Sequence, residues 1–261
     1  DSNSGHLNES DKTYVSWNWK ANGSGGSNTN GTINTTSTTV AAHGGFSIST
    51  YTGTGSNATV GHGLGVVPQV IIAKRLNATD QMIMYHHSIS ATPQNYYIRI
   101  SDNGAAAAFT GMWNDTAPTS SLFSIGNSAT TNASSEAMIA YCFAEKQGFS
   151  KFGKYVGNGN ADGAFTYTGF KIGWLMIKKN SAGEDWRIYD FKRLGYNPNN
   201  NQILANTNAA EYSATQIDLL SNGFKLRATD GGINEVGSEY YYMAFAEEPL
   251  VSSNGVAATA R

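Results

Sequence analysis

Apolar positions in this chain recur with period two, in short runs separated by Gly, Asn, Asp, Ser and Thr. Phe46, Ile48 and Thr50 alternate with Ser47, Ser49 and Tyr51, which predicts a strand with one buried face. Val70–Ala73 is a continuous apolar run, the pattern of a strand buried on both faces. Met82 and Met84 share a face of the next predicted strand, and Phe123 and Ile125 point inward from a later one. Ala137–Ala144 and Tyr240–Ala246 are apolar on both faces and read as central strands. Helical periodicity is weak; Ala105–Phe109 is the one helix-favouring patch, and Gly104 and Gly111 limit it.

The pattern is written twice. Tyr51–Gly55 is echoed by Tyr155–Gly159, Val70–Arg75 by Trp174–Lys179, Met82–Tyr85 by Trp186–Tyr189, and Phe143–Glu145 by Phe245–Glu247. The offset is 104 at the first tyrosines (155−51) and 102 at the last phenylalanines (245−143). A steady offset with small drift predicts duplication of a whole domain, since solenoid periods are roughly 20–50 residues. Phe123–Ile125 is echoed by Phe224–Leu226, with Lys225 and Arg227 outward. Ile83 is echoed by Arg187, which marks that side of the strand as less demanding.

The predicted fold is all-β: two tandem β-sandwich, jelly-roll-like domains at 46–148 and 149–250. Residues 1–45 read as the end of a preceding module. They comprise a strand Tyr14–Lys20 with Val15, Trp17 and Trp19 on one face, a flexible connector Asn22–Asn28, and a peripheral stretch to Ala42. Residues 251–261 lose the pattern and are expected to be irregular or to lie on a neighbour. Asp1 in place of Met reads as a trimmed piece of a longer chain.

Charged residues make up only 14% of the chain, so Ser, Thr, Asn and Gly must supply most of the polar surface. A net charge of -2 without a basic run argues against nucleic acid. No apolar window is long enough to cross a membrane as a helix. Cys142 is the only cysteine, which excludes an intrachain disulfide and a Cys-based zinc site.

Candidate chemistry is sparse. Asn158–Gly163 imitates the start of a calcium loop, but Gly169 stands where the bidentate Glu belongs, so a turn is the better reading. His86 and His87 are strand neighbours that face opposite ways and so do not share a metal; His43 and His62 add no ligand spacing. No serine lies in a nucleophile elbow, and Gly61–Gly65 resembles no phosphate loop. Glu145, Glu247, Glu248, Asp115 and Asp218 could pair for glycoside cleavage only if the fold brought two together. No catalytic, metal or cofactor-binding set is predicted. The remaining candidates are aromatic: Tyr96, Tyr97, Trp113, Tyr240 and Tyr242, read as subunit-interface or glycan contacts on outward faces.

Val60–Pro68, Trp113–Pro118, Gly169–Lys178, Leu220–Leu226, Met243–Glu247 and Ser252–Val256, with Trp17–Ala21 ahead of them, resemble an uncharacterised repeat family of structural virion proteins in tailed, especially marine, phages. The resemblance covers about Trp17 to Arg261 and brings no catalytic motif. It implies a tail or head fibre, or a capsid decoration, on the virion exterior, made in the host cytoplasm and released on lysis. The implied partners are other virion proteins and copies of the chain itself, as a homotrimer. A lectin-like module for host-surface glycan and a tailspike-type depolymerase are the alternatives. The first predicts a concave Trp/Tyr-lined pocket; the second predicts two carboxylates in a groove.

Overall fold

The computed structural model describes residues 10–11, 13–181, 183–194, 197–247, 250–251 and 257–258. The chain is all-β. The first half holds β1 (Ser37–Val40), β2 (Phe46–Thr52), β3 (Ala58–Gly61), β4 (Val70–Arg75), β5 (Ile83–His86), β6 (Tyr96–Arg99), β7 (Ala107–Ala108), β8 (Leu122–Ile125) and β9 (Ala137–Phe143), with the single helical turn α1 (Ala129–Asn132) before β9. The second half holds β10 (Ser150–Val156), β11 (Phe165–Tyr167), β12 (Ile172–Lys179), β13 (Arg187–Asp190), β14 (Asn199–Leu204), β15 (Tyr212–Leu220), β16 (Gly223–Leu226) and β17 (Glu239–Ala246), with the turns α2 (Phe191–Leu194) and α3 (Gly231–Asn234). A small ladder joins β18 (Leu250–Val251) to β19 (Ala257–Ala258).

All named strands pair antiparallel. A seven-stranded sheet runs β1-β2-β9-β4-β5-β6-β7, and β3 pairs β8 beside it. An eight-stranded sheet runs β10-β17-β12-β13-β14-β15-β16-β11. The sequence echo is also an echo of register. Tyr141 lies between Ile48 and Ile72; Met243 lies between Phe152 and Met176. The offsets are 104 (152−48 and 176−72) and 102 (243−141). β9 and β17 are interior strands, as their double-sided apolar pattern predicts.

The loops repeat too. Asn132 and Asn234 end α1 and α3 and are fully buried. The Asn132 side chain accepts from Thr54 N–H (2.7 Å) and donates to the carbonyls of Ser56 and Gly126. Asn234 accepts from Asn158 N–H (2.9 Å) and donates to Asn160 and Ala228. Tyr51 Oη donates to the Thr131 carbonyl and Tyr155 Oη to that of Ile233. The turns start alike: Ser128 accepts from Thr130 N–H, and Asp230 from Gly232 N–H, each an N-cap. Gly53 and Gly157 are required by close approach, since a Cβ there would stand 2.1 Å from the Ala133 carbonyl oxygen or 2.3 Å from that of Glu235.

Three apolar clusters result. One lies within the first half, around Tyr51, Val60, Ile71, Trp113 and Phe123. Another lies within the second, around Tyr155, Leu175, Tyr189, Phe224 and Tyr242. The third joins the halves: Phe46, Val70, Met84 and Phe143 pack with Phe152, Met176, Trp186, Tyr241, Met243 and Phe245. Polar bonds cross the same boundary, from Trp186 Nε1 to the Arg99 carbonyl (2.7 Å) and from Tyr241 Oη to that of Ile89 (3.1 Å). Burying one aromatic side chain stabilises by roughly 2–3 kcal/mol, so this joint is part of the fold.

The joint corrects several expectations. β2 is covered on both faces, because Tyr51 meets its own core while Phe46 and Ile48 meet the second half. The Ile83 side is the inner face: Ile83 is 1% exposed, and Arg187 at the same position is buried. Ala107–Ala108 is a strand paired with β6, not a helix, because Tyr96–Tyr97 offers it a ladder. Residues 26–40 are neither a linker nor peripheral, since β1 pairs β2 and Ile33 bridges Val60. Tyr14–Lys20 forms no ladder; Trp17 and Trp19 are held by the joint cluster instead. Part of the expected irregular tail pairs as β18 and β19; Ser252–Val256 lies outside the described residues.

Candidate functional site

The five aromatic candidates are not gathered in one place. Trp113, Tyr240, Tyr242 and Tyr97 are buried, and Tyr96 is half-buried against the joint cluster. Trp113 donates from Nε1 to the Tyr96 carbonyl (3.1 Å) and meets Tyr85 edge to face. Tyr97 Oη accepts from Arg99. Tyr240 Oη donates to the Gly231 carbonyl and accepts from Glu235 N–H, and Tyr242 packs against Phe224. The expectation of outward rings is thereby corrected: Tyr97 and Trp113 sit in the first half's own core, Tyr240 and Tyr242 in the second half's, and only Tyr96 packs on the joint. Burial also raises the Tyr240 and Tyr242 hydroxyls to about 12.

The aromatic surface that is open lies elsewhere. A cleft of about 510 Å³ is lined by Trp17, Trp19, Trp174, Phe149, Phe191 and Phe245, with His43, Lys192 and Glu247 at its rim. Trp19 stands edge to face with Trp174 (5.3 Å) and Phe245 (5.2 Å). Arg193 lies over the Trp17 ring (5.9 Å), and Lys192 over Phe191 (4.5 Å). Trp174 Nε1 is buried without an acceptor among the described residues. Burial, helped by Lys146, lowers the His43 pKa, so its ring is neutral at pH 7. Half-exposed indoles beside Lys192 and Glu247 can stack on an apolar face and hydrogen-bond at its rim. Trp174 breaks the repeat, since its echo is Val70; that mismatch is the signal by which the sequence could have disclosed the cleft.

Three of the five candidate carboxylates are ion-paired; Asp115 lies in a loop, and Glu248 lies outside the described residues. Glu145 holds Lys151 (3.0 Å), Glu247 holds Lys171 (2.5 Å), and Asp218 holds Arg227 (2.8 Å). Arg187 lies between Asp230 (2.6 Å) and Glu184 (3.1 Å). In Asn158–Gly163 the side chains of Asn158 and Asn160 accept from backbone N–H groups two residues on, and Asp162 pairs with Lys225. Each described histidine has its own backbone contact: His43 Nδ1 accepts from Gly45, His62 Nδ1 from Leu64, and His86 Nδ1 from Ser88, while His87 Nε2 meets the Phe152 carbonyl. Among the described residues no three His, Cys, Asp or Glu side chains are placed to hold a metal. Cys142 is buried, and burial pushes its thiol pKa up.

No helix among the described residues is long and apolar enough to cross a membrane. Neither a curated protein nor a solved structure matches the chain. Residues 1–249 match the family described as Domain of unknown function (DUF7483), and the chain belongs to that family.

Proposed function

We propose that the chain is a structural building block of a phage virion, a fibre or capsid-decorating appendage on the particle exterior that assembles with copies of itself. The two halves are read as one sandwich domain copied head to tail. The observation that carries this is the joint cluster, in which buried apolar residues of both halves pack together, as a rigid strut would need. Glu145, Glu247 and Asp218, of the carboxylates weighed for catalysis, are engaged in ion pairs, and the described histidines in backbone contacts, which suits a passive role. On this reading the chain is no enzyme and takes no cofactor. The sequence resemblance supplies the particle. The test is electron microscopy of the encoding phage labelled with antibody to the chain, with light scattering of the purified protein. Label on the particle surface and a defined oligomer are expected; particles without label end the reading.

A second reading has its own support. The half-exposed indoles of Trp17, Trp19 and Trp174 form the concave aromatic wall that a glycan-binding module needs. A glycan array with the parent and with Trp19→Ala tests it; a parent that retains no glycan ends it.

A further inference from the structure

In the first repeat the chain leading into β1 closes an open side of the fold. Ile33 N–H donates to the Thr59 carbonyl on β3 (3.0 Å), and Thr36 N–H to the Thr50 carbonyl on β2 (2.7 Å). Residues 37–40 then continue along β2 as β1. This clasp, Gly26–Val40, carries no charged residue and stitches the outer edges of two strands.

The second repeat has the same two edges, on β10 and β11, and no clasp among the described residues. Only Ala144–Phe149 separate β10 from β9. Part of the β10 edge is capped from nearby: Ser150 N–H donates to the Lys146 carbonyl, Phe152 N–H to Glu145, and the Phe152 carbonyl meets His87. That covers the stretch matching Val40 to Thr38. Beyond it, the outward N–H and carbonyl of Lys154 pair with nothing among the described residues, and β17 binds only the other edge of β10. On β11, Leu226 N–H donates to the Ala164 carbonyl, which turns the N–H and carbonyl of Phe165 outward, again without a partner. By register Lys154 stands where Thr50 meets Thr36, and Phe165 where Thr59 meets Ile33.

The side chains here are more apolar than those under the clasp. Val156, Phe165 and Tyr167 are 51%, 47% and 63% exposed, at the positions of Thr52, Thr59 and Gly61. A groove of about 450 Å³ runs from Ser150 and Lys151 to Tyr167–Gly169. Of its nearby charges Lys151 is paired with Glu145 and Lys154 with Glu239, which leaves Lys146 as the lining cation without a carboxylate among the described residues, so the groove is only weakly charged.

We propose that this side of the second repeat is an acceptor for strand addition. Its occupant is an uncharged, Ser/Thr-rich extended segment of a partner chain, with the chemistry of Gly31–Ser37. It bonds Lys154 as Thr36 bonds Thr50, and Phe165 as Ile33 bonds Thr59. Backbone bonds supply affinity, and the exposed Val156, Phe165 and Tyr167 supply apolar cover.

A synthetic peptide of residues 28–38, titrated into the full chain, is the probe. Saturable binding is expected, with slowed amide hydrogen exchange at Lys154 and Phe165. Lys154→Pro removes an outward N–H that the β10–β17 ladder does not use, a position where an edge strand tolerates proline. It is expected to weaken binding roughly tenfold or more. Tyr167→Ser, which leaves every backbone bond in place, is expected to weaken it less. Absence of saturable binding to the parent overturns the proposal. So does binding that Lys154→Pro and Tyr167→Ser leave unchanged, or protection that appears at Thr59 instead, which marks exchange into the first repeat.

Discussion

His87 Nε2 lies 3.1 Å from the carbonyl oxygen of Phe152, while Glu145 Oε1 accepts from the N–H of the same residue at 2.9 Å. Two side chains of the first half thus occupy both outward backbone groups of one residue on an edge strand of the second half. An uncapped edge is a template for pairing with another chain. In the first repeat β1 covers the equivalent edge; here Glu145 and His87 do.

Removing those caps is expected to open the edge. Glu145→Ala and His87→Ala should each cost about 1–2 kcal/mol in urea melts, the cost of an unmade hydrogen bond at a half-buried group. The double variant leaves Phe152 and Lys154 open together. It is expected to self-associate in sedimentation velocity at concentrations where the parent sediments unchanged. Two variants that melt and sediment like the parent remove the capping role.

The strands were legible because their faces are written in period two; which strands pair, and in what register, was not, although the structure shows the 104-residue echo carried into the register. Val70–Ala73 reads as doubly buried; Val70, Ile71 and Ala73 are buried, and Ile72 partly so. What stayed hidden depends on docking. Nothing local distinguishes Phe46 and Ile48 meeting the second repeat from the same residues meeting water. Arg187 was hidden for another reason: a charged residue at the position of Ile83 suggests solvent, yet Asp230 and Glu184 of its own half hold it inside. Trp17 and Trp19 alternate like strand residues, but no neighbouring strand offers them a ladder, so only their rings are used.

The paired asparagines should behave as one device used twice. Asn132→Ala strands the Thr54 N–H and the Ser56 and Gly126 carbonyls; Asn234→Ala strands the matching three groups. Each substitution is expected to cost about 3 kcal/mol, since buried polar groups left unpaired lose roughly 1–3 kcal/mol apiece and water recovers part of that. Asp in place of Asn keeps the acceptor and loses the donors, so it should be no better than Ala at neutral pH. Calorimetric melts of the four variants check this. Unequal losses at the two sites show that the echo in geometry is not an echo in energy.

Trp186→Ala tests the joint. The side chain is 2% exposed and its Nε1 bonds the Arg99 carbonyl across the boundary. A loss of roughly 3–5 kcal/mol is expected for truncating a buried aromatic. Because the cluster couples the halves, the parent should melt in one transition and the variant in two. A variant that still melts in one step shows that the remaining joint residues suffice.

Acidification should loosen the same joint through His86. The ring is buried, its Nδ1 accepts from Ser88 N–H, and its Nε2 faces the Tyr242 carbonyl at 3.3 Å. Burial, with the neighbouring His87, lowers its pKa to about 3. The unfolded chain therefore binds this proton first as pH falls. The stabilising share of neutral His86 is complete above about pH 6.5 and is lost on the way down to pH 3, by up to about 1.4 kcal/mol per unit. Lys178 acts in another window. It is buried, and among the described residues its Nζ donates to the carbonyls of Lys179 and Ser181 alone. Burial lowers its pKa to about 8. Its buried charge weighs against the fold below pH 8, and the fold recovers as pH rises toward roughly 10.4, where the unfolded lysine also loses its proton. His86→Gln should flatten the fall in stability between pH 6.5 and 5. Lys178→Met should stabilise at pH 7 and lose that advantage between pH 8 and 10. Urea midpoints for parent and variants across both windows decide; parallel curves mean that neither group is as deeply desolvated as its place in the joint requires.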